Sequence, residues 1–282
     1  MDQYYQGKVA VVTGAAGVIC SEVARDLASL GCTVALVDLS LENAEKVAAG
    51  IRENGGNCKV YARNVMDREA VGALADEVIK DLGRCDILIN GAGGNNAKAQ
   101  PKIVEFDPRE LEEDRPEDLV GLYNVDMDIF ENVIKLNTMG TIYPLLAFAK
   151  YMVKQGGGSI INFASMNTYC PLTRNFAYAM SKAAVANFTQ AFAAYFAKTG
   201  IRINAVAPGF ILNPRSKLIL GTVEEGLTKR GQDVIDHTPM GKFGSANDMC
   251  GAIRWLIDDR AAGFVTGITV PVDGGFLTLS GV

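Results

Sequence analysis

The sequence has few of the patterns that mark metal, redox and nucleic-acid proteins. Its 282 residues include one histidine and six cysteines, and no two cysteines form a C-x-x-C pair. This spacing argues against a zinc site or a thioredoxin-like site and favours reduced thiols. The net charge is −5 without any run of Lys and Arg, so we expect no nucleic-acid partner.

Long apolar stretches and targeting signals are also lacking. No apolar run approaches the length of a membrane span, and the N-terminal segment has no basic region followed by a long apolar core. We therefore expect a cytoplasmic protein that does not bind membranes. Because 49% of the residues are hydrophobic, the chain has enough apolar surface for one large domain, and we predict a single domain over 1–282.

Short apolar runs alternate with amphipathic helical patterns along the chain. We predict seven strands, in KVAVVTG, TVALVD, CKVYARNV, CDILINGAG, GSIINFAS, IRINAVAPG and GITVPVDGG. Five helical patterns lie between them, and several of these end at Gly, as helix C-termini often do. The strands are continuously apolar, which indicates burial on both faces. The predicted fold class is therefore α/β, a Rossmann-like doubly wound parallel sheet with helices on both faces.

The segment 95–126 interrupts this alternation. It is acidic, contains three prolines and has little periodicity. It follows the carboxyl end of a strand, where ligands bind in open α/β sheets. Two interpretations are open, a solvated surface excursion and a flap over a substrate. Long loops in compact domains are more often functional, which favours the flap.

The first strand leads into a glycine-containing turn and a helix. Such a turn lets backbone N–H groups approach a pyrophosphate at the helix N-terminus. Gly14 and Gly17 are present, but Val18 and Cys20 occupy two places where glycine is usual. Asp38 ends the next strand, where a carboxylate binds the adenosine ribose and repels a 2′-phosphate, which favours NAD over NADP. Ser40 is better placed than Asp38 to cap the following helix.

A possible catalytic group follows the fifth strand. Tyr178 and Lys182 are spaced i, i+4, so they lie on one face of a helix. An ammonium group close to a phenol stabilises the phenolate and lowers its pKa, which makes tyrosine a usable acid or base. Ser165 ends the preceding strand, where it can bind a carbonyl or hydroxyl oxygen.

These features together resemble the short-chain dehydrogenase/reductase family over nearly the whole chain. The matching segments are TGAAGVIC for T-G-x-x-x-G-x-G, NGAG at 90–93 for N-N-A-G, Asn137 in KLNTMG, Ser165, YAMSK for Y-x-x-x-K, APGFILN and VTGITVPVDGGF. A Y-x-x-x-K motif alone is common by chance. In this order and with this spacing, the set is highly specific.

The resemblance implies a role for each matching residue. Tyr178 is the expected general acid/base, Lys182 lowers its pKa and holds the nicotinamide ribose, Ser165 orients the substrate oxygen, and Asn137 holds a water in a proton relay. The residues expected to bind NAD(H) are Gly14, Gly17, Val18, Ile19, Asp38, Asn64, Val65, Asn90, Ala92, Gly93, Tyr178, Lys182, Pro208, Ile211 and Asn213. The family usually forms tetramers through two long helices, here those around Asn137 and Tyr178, so we expect a homotetramer.

The altered turn is interpreted as a reshaped but functional site. We expect Gly17 to absorb the strained φ angle and Cys20 to fit under a close helix–strand contact. One sugar-acid branch of the family is similar in having a G-V-x-C turn. An alternative is a protein that binds NAD without chemistry, which only the altered turn supports.

The surroundings of the expected pocket are polar, which favours a sugar acid over a steroid or acyl chain. Asn95, Asn96, Lys98, Asn167, Arg174 and Arg215 are near it, and Ser165, Asn167, Arg174 and Tyr178 are the expected substrate-binding residues. Arg174 can pair bidentately with a carboxylate, although a surface cation is the plain alternative. No metal site is expected, and His237 is assigned no role.

Three segments resemble the branch that interconverts D-mannonate and D-fructuronate: NGAGGNNAKA, the acidic insert and the closing GGFLTLSGV. Related members act on other sugar acids such as gluconate, so a gluconate 5-dehydrogenase-like enzyme is an alternative. Another is a different ketone reductase that would prefer NADPH, against which Asp38 argues.

Overall fold

The computed structural model describes residues 3–222 and 225–279. Its strands are β1 (Val9–Thr13), β2 (Thr33–Asp38), β3 (Asn57–Ala62), β4 (Ile87–Asn90), β5 (Gly158–Phe163), β6 (Ile201–Pro208), β7 (Gly221–Thr222), β8 (Gly226–Leu227) and β9 (Thr269–Val272). Seven of them form one parallel sheet in the order β3-β2-β1-β4-β5-β6-β9. The strands β7 and β8 pair separately as an antiparallel ribbon.

Nine helices are assigned in the described ranges. They are α1 (Val18–Ser29), α2 (Leu41–Glu53), α3 (Arg68–Leu82), α4 (Met127–Gln155), α5 (Phe176–Phe196), α6 (Pro214–Leu220), α7 (Lys229–Asp236), α8 (Asp248–Ile257) and α9 (Asp259–Ala262). None of these combines the length and apolarity needed to cross a bilayer.

The predicted doubly wound α/β fold is confirmed. Every residue of β1, β4 and β6 is buried, as continuous apolar strands covered on both faces require. Two large apolar clusters pack against the sheet, one including α1 and α8 and the other including α3, α4 and α5. From β1 the chain winds outward to β2 and β3, and from β4 it winds the other way. The carboxyl ends of β1 and β4 therefore flank the switch point where ligands bind.

The ends of the helices follow local sequence signals. Gly83 and Gly156 end α3 and α4 in the left-handed conformation, with φ angles of 83° and 91°. Ser40 caps α2, since its side chain accepts a hydrogen bond from the Asn43 N–H at 3.3 Å. This confirms Ser40, rather than Asp38, as the helix cap.

The segment 95–126 is folded without long regular elements. It contains three short 3-10 helices, at Ala97–Ala99, Pro108–Leu111 and Leu122–Asn124. Its ends are brought together because the Asp126 N–H donates to the Lys98 carbonyl at 3.1 Å. The Glu110 carboxylate is buried inside it and accepts from the Tyr123 N–H at 3.2 Å. The insert is thus held in shape by its own contacts.

Candidate active site

A cleft of ≈ 660 Å³ opens at the carboxyl end of the sheet, beside the turn between β1 and α1. Most of the residues expected from the sequence to bind cofactor or substrate meet there. The cleft is lined by Gly14, Ala16, Gly17, Val18, Ile19, Cys20, Gly91, Gly93, Gly94, Phe163, Ala164, Ser165, Tyr178, Lys182, Pro208, Gly209, Ile211, Asn213 and Pro214. The cleft brings the glycine turn and the Ser-Tyr-Lys group together.

The glycine turn leaves the start of α1 open to the cleft. Gly14 has a φ angle of 65°, and a Cβ built on it would lie 2.8 Å from the Cα of Ala92. The Gly17 N–H donates to the Gly14 carbonyl at 2.8 Å, and no side chain caps α1. The first amides of a helix have no partner within the helix, so those of α1 are available to a bound anion.

The expectation that Gly17 carries the strained φ is wrong. Its φ is −68°, an ordinary extended conformation, and the left-handed residue of the turn is Gly14. Val18 does not fill the turn, because 43% of its surface is exposed and it lines the cleft. A positive φ angle is therefore required at neither position, although a Cβ built on Gly17 would lie 3.1 Å from the Gly14 carbonyl oxygen.

Cys20 packs under the loop that follows β4, as expected. A Cβ built on Gly91 would overlap the Cys20 Sγ. Burial raises the pKa of the Cys20 thiol to about 12, so at neutral pH it is an uncharged packing group. The Gly91 and Ala92 N–H groups both donate to the Thr13 Oγ1, at 3.2 Å each, which fixes this loop against β1.

Asp38 lies across from the glycine turn. Its Oδ2 accepts a hydrogen bond from the Ala16 N–H at 3.0 Å, and its Oδ1 accepts one from the Ser40 N–H at 3.0 Å. The carboxylate is half-buried at the end of β2. These two bonds hold a negative charge at the edge of the cleft, next to the turn that would cradle a pyrophosphate.

Several residues expected to bind the cofactor lie outside the lining of the cleft. Asn64 is exposed, and its Oδ1 accepts from the Met66 N–H at 3.0 Å. Val65 is buried and faces Gly140 of α4. Asn90 is buried at the carboxyl end of β4, the central strand of the sheet. Its Nδ2 donates to the Asn162 Oδ1 at 2.9 Å, and its Oδ1 has no partner in the described residues. Asn90 thus organises the sheet at this point.

Asn137 is completely buried on α4 and holds the loop after β4. Its Oδ1 accepts from the Gly94 N–H at 3.0 Å, and its Nδ2 donates to the carbonyls of Gly94 at 2.8 Å and Val133 at 2.9 Å. Both amide protons are therefore used within the protein. The geometry shows Asn137 fixing the start of the insert, and its expected role of holding a water stays a prediction.

Ser165, Tyr178 and Lys182 converge between β5 and α5. The Ser165 Oγ accepts from the backbone N–H and the Nδ2 of Asn167, both at 3.2 Å, so Asn167 orients Ser165. The Lys182 Nζ donates to the Phe163 carbonyl at 2.7 Å and lies 5.6 Å from the centre of the Tyr178 ring. Asn167 is itself held, because its Oδ1 accepts from the Leu172 N–H at 3.0 Å.

Burial dominates the electrostatics of this group. It raises the pKa of Tyr178, and a hydrogen bond with Ser165 lowers it in part. Burial also lowers the pKa of Lys182 to about 8. The expected lowering of the Tyr178 pKa by Lys182 is not seen, because removal of the phenol from water is the main cause of the shift and Ser165 is the side chain that opposes it. Near pH 7 the phenol is neutral and able to donate a proton, and Lys182 is mostly charged.

The P-G segment after β6 forms the far wall of the cleft. Ile211 is buried and pairs with Gly244, and the Leu212 N–H donates to the Gly244 carbonyl at 2.8 Å. The Asn213 Oδ1 accepts from the Ser216 N–H at 3.0 Å, which places Asn213 as a cap on α6. Pro208, Ile211 and Asn213 all line the cleft, as expected.

The polar residues expected near the substrate are not gathered in one place. Asn95 and Asn96 line a second cavity next to the cleft, while Lys98 is exposed and lines none of the principal cavities. Arg174 donates to the Lys102 carbonyl of the insert at 3.1 Å. The side chain of Arg215 and residues 280–282 of the closing segment lie outside the described part of the chain.

Two further residues near the site were not singled out from the sequence. The Asn175 Oδ1, just before α5, accepts hydrogen bonds from Asn95 and Gln100 and so ties the insert to the catalytic helix. Arg230 on α7 lines the second cavity with Asn95 and Asn96. Asn before a helical pattern is a recognisable cap signal, whereas nothing local marks Arg230. His237 ends α7 against Phe276, with ring centres 4.7 Å apart.

No group of three His, Cys, Asp or Glu side chains suited to a metal ion occurs in the described residues.

The sequence profile of the short chain dehydrogenase family matches residues 8–219. A Haemophilus influenzae protein called an uncharacterized oxidoreductase is 43% identical, with 98% of this chain and 95% of that protein covered. An uncharacterized oxidoreductase of Bacillus subtilis, UxuB, is 38% identical, with 98% and 97% covered.

A solved structure is also similar to this one. It belongs to a Haemophilus influenzae protein proposed to be a D-mannonate oxidoreductase and contains bound NAD. The TM-score is 0.91 at 42% sequence identity, and the match covers 98% of this chain and 97% of that one. The resemblance therefore extends over the sheet, the cleft and the insert.

Proposed function

The chain belongs to the short-chain dehydrogenase family, and on that premise we propose that it is an NAD(H)-dependent oxidoreductase of sugar acids. The proposed reaction interconverts an alcohol and a ketone, with D-mannonate and D-fructuronate as the preferred pair. The observation that carries the proposal is the convergence of Ser165, Tyr178 and Lys182 beside the glycine turn in one cleft. The bound NAD and the proposed D-mannonate activity of the Haemophilus influenzae structure support the choice of cofactor and substrate.

The residues present fit a dinucleotide. A Cβ on Gly14 would meet the loop after β4, and one on Gly93 would meet the Asn137 Oδ1. Because both residues are glycine, backbone rather than side chains lines this part of the cleft. The uncapped start of α1 suits a pyrophosphate, and the Asp38 carboxylate suits ribose hydroxyls while repelling a 2′-phosphate. Asp38 is the feature that favours NAD(H) over NADP(H).

When bound, NADH supplies the hydride that the carbonyl carbon of the substrate accepts. The carbonyl oxygen takes a proton from the Tyr178 hydroxyl, which burial keeps protonated at neutral pH. The Ser165 hydroxyl, oriented by Asn167, donates a hydrogen bond to the same oxygen. The Lys182 ammonium, held by the Phe163 carbonyl, stabilises the phenolate that remains. In the direction of oxidation each of these proton movements is reversed.

The proposal is tested by following NADH oxidation at 340 nm with D-fructuronate beside a panel of other keto sugar acids. We expect turnover of fructuronate with NADH and much lower kcat/KM with NADPH. A preference for 5-ketogluconate would instead identify a gluconate 5-dehydrogenase-like enzyme. Failure of the whole panel would exclude the sugar-acid assignment, and turnover of unrelated ketones with NADPH would identify another ketone reductase.

A protein that binds NAD without chemistry is the alternative from another class. The altered glycine turn is the feature that favours this alternative. However, the Cys20 sulfur packs against Gly91, so the change at position 20 is matched by a glycine in the loop after β4. A titration with NADH and a turnover assay on the same sample separate the two: binding with no turnover of any alcohol or ketone would favour this alternative.

We also propose that the protein is a homotetramer associated through α4 and α5. These helices keep large apolar side chains exposed, among them Leu146, Val153, Met180 and Tyr195. Multi-angle light scattering should give a mass of about four chains of 30.1 kDa each. A mass of one chain would contradict this association.

A further inference from the structure

Two guanidinium groups from different parts of the chain face one cavity beside the active site. Arg174 lies four residues before Tyr178, in the loop that leads into α5, and Arg230 lies in the first turn of α7. Both line a cavity of ≈ 790 Å³, together with Leu172, Phe210 and Val234. This arrangement concentrates positive charge close to the catalytic helix.

Arg230 connects this cavity to the one under the insert. It also lines the second cavity of ≈ 590 Å³, with Asn95, Asn96, Gln100 and Ser216. Phe210 borders both cavities and lies between Gly209 and Ile211, which line the catalytic cleft. The two cavities therefore adjoin the catalytic cleft along the segment 209–211.

Neither guanidinium is matched by a carboxylate within the described ranges, 3–222 and 225–279. The hydrogen bond from Arg174 goes to the Lys102 carbonyl, an uncharged acceptor. The guanidinium of Arg230 has no hydrogen bond or ion pair in those ranges. Among the described residues, the cavity of ≈ 790 Å³ is lined by one carboxylate, that of Asp233, which pairs with neither arginine. Lys229 and His237 also line this cavity.

The fold places the two positively charged arginines beside the same cavity, where their charges repel each other. Burial and the neighbouring Arg174 both lower the pKa of Arg230, which means that its charge is incompletely solvated and repelled. Arg174 is the non-glycine residue with a positive φ angle in the described chain, at 68°. Non-glycine residues rarely adopt this conformation, and those that do cluster at ligand sites.

From this geometry we propose that Arg174 and Arg230 form a carboxylate-binding subsite that selects acidic substrates over neutral polyols and ketoses. The inference rests on the proposed function and names the residues that give it acid specificity. Paired guanidinium groups match the two oxygens of a carboxylate, and the anion would also relieve the repulsion between them. Arg174 and Arg230 are thus positioned as specificity residues, apart from the proton transfer at Tyr178.

The first experiment compares D-fructuronate with D-fructose, which carries an alcohol in place of the carboxylate. We expect Arg230→Met and Arg174→Met each to raise KM for fructuronate by about 10- to 100-fold, the range for loss of a hydrogen bond to a charged group. The weak turnover of fructose and the affinity for NADH should stay as in the wild type. Arg230→Lys should recover part of the loss, since it keeps the charge but not the planar geometry.

The matched control is Arg68→Met, an exposed arginine at the start of α3 that lines neither cavity. Its KM for fructuronate should match that of the wild type. An Arg230→Met enzyme with unchanged KM for fructuronate would overturn the subsite. Equal losses on fructose and fructuronate would also overturn it, because they would show a structural role.

A binding measurement separates failure of the subsite from failure of the proposed function. Calorimetric titration of the NADH-loaded protein with D-mannonate and D-mannitol involves no turnover, because both ligands are already reduced. We expect mannonate to bind, mannitol to bind much more weakly, and Arg230→Met to remove the difference. If no keto sugar acid is turned over but this Arg230-dependent preference holds, the function fails and the subsite stands. If the wild type binds both ligands equally, the subsite is wrong whatever the turnover.

Discussion

Cys20 and Gly91 are complementary: the sulfur of Cys20, on the first turn of α1, occupies the volume that any side chain at position 91 would need. Where the family pattern has glycine in the turn and asparagine after β4, this chain has cysteine and glycine. The bulk has moved from one side of the contact to the other. The two departures from the family pattern therefore compensate each other: the larger residue at position 20 is accommodated by the smaller residue at position 91.

This relationship predicts the effect of adding a side chain at position 91. Gly91→Ala should lower the free energy of unfolding by about 1–3 kcal/mol, the usual cost of overpacking a tight contact. Cys20→Gly combined with Gly91→Asn should be more stable than Gly91→Asn alone, since the first change removes the clash. Urea denaturation of the variants measures both effects. If the loss of stability in the double variant equals the sum of the losses in Cys20→Gly and Gly91→Asn, the two positions are independent.

Asp38 should set the choice between NADH and NADPH. In Asp38→Ala the negative charge beside the expected 2′-phosphate is removed, so the ratio of kcat/KM for NADH to that for NADPH should fall by at least about tenfold. Glu53→Ala is a matched control, because that exposed carboxylate lies at the far end of α2. An unchanged ratio in Asp38→Ala would show that another group discriminates between the cofactors.

Tyr178→Phe should remove the proton donor while leaving the cleft filled. We expect kcat to fall by about 100- to 10,000-fold, the usual contribution of a positioned general acid. NADH affinity, followed by fluorescence titration, should change little because the ring remains. Tyr195→Phe, on the exposed part of α5, is the control and should keep full activity. Wild-type turnover by Tyr178→Phe would contradict the proposed chemistry.

The buried Lys182 should make stability depend on pH in a defined direction. Its pKa is about 8 in the folded protein against 10.5 in the reference state, so between these values the unfolded chain binds more protons. Stability must then rise with pH across this window. Between pH 7 and 9.5 the wild type should gain about 2 kcal/mol relative to Lys182→Met, as these two pKa values imply.

Guanidinium denaturation at the two pH values measures this gain. Lys135→Met, a change at an exposed lysine of α4, should show no such difference from the wild type. A gap between wild type and Lys182→Met that is constant with pH would mean that Lys182 keeps its ordinary pKa on folding.

The parts of the fold that the sequence predicts are those with long, regular patterns. All seven strands of the sheet and the helices α1–α5 overlap the segments predicted from apolar runs and helical patterns. Continuous burial holds for inner strands such as β1, β4 and β6, whereas the expectation of burial on both faces is wrong for the edge strands β3 and β9, which are partly exposed. The helices α6 to α9 were not predicted. They are short, between 4 and 10 residues, so each offers too few turns for a helical pattern to stand out from its surroundings.

Within the site, local chemistry was predictable and long-range contacts were not. Ser165, Tyr178 and Lys182 were identified because residue type and spacing carry their function. The strained φ angle was expected at Gly17 but belongs to Gly14, since the close approach of Ala92 requires glycine at position 14. Arg230 was missed because its significance depends on Arg174, which is distant in sequence and near only in the folded chain.

The amide side chain of Asn175 joins the insert to the helix that carries Tyr178. Arg174 adds a second link through the Lys102 carbonyl, and within the insert the Glu110 carboxylate accepts from the Tyr123 N–H. The insert and the helix that carries Tyr178 are therefore joined through the side chains of two residues in the loop before α5. Because these links are made by side chains, the sequence of the insert can change without altering the backbone that positions the catalytic residues.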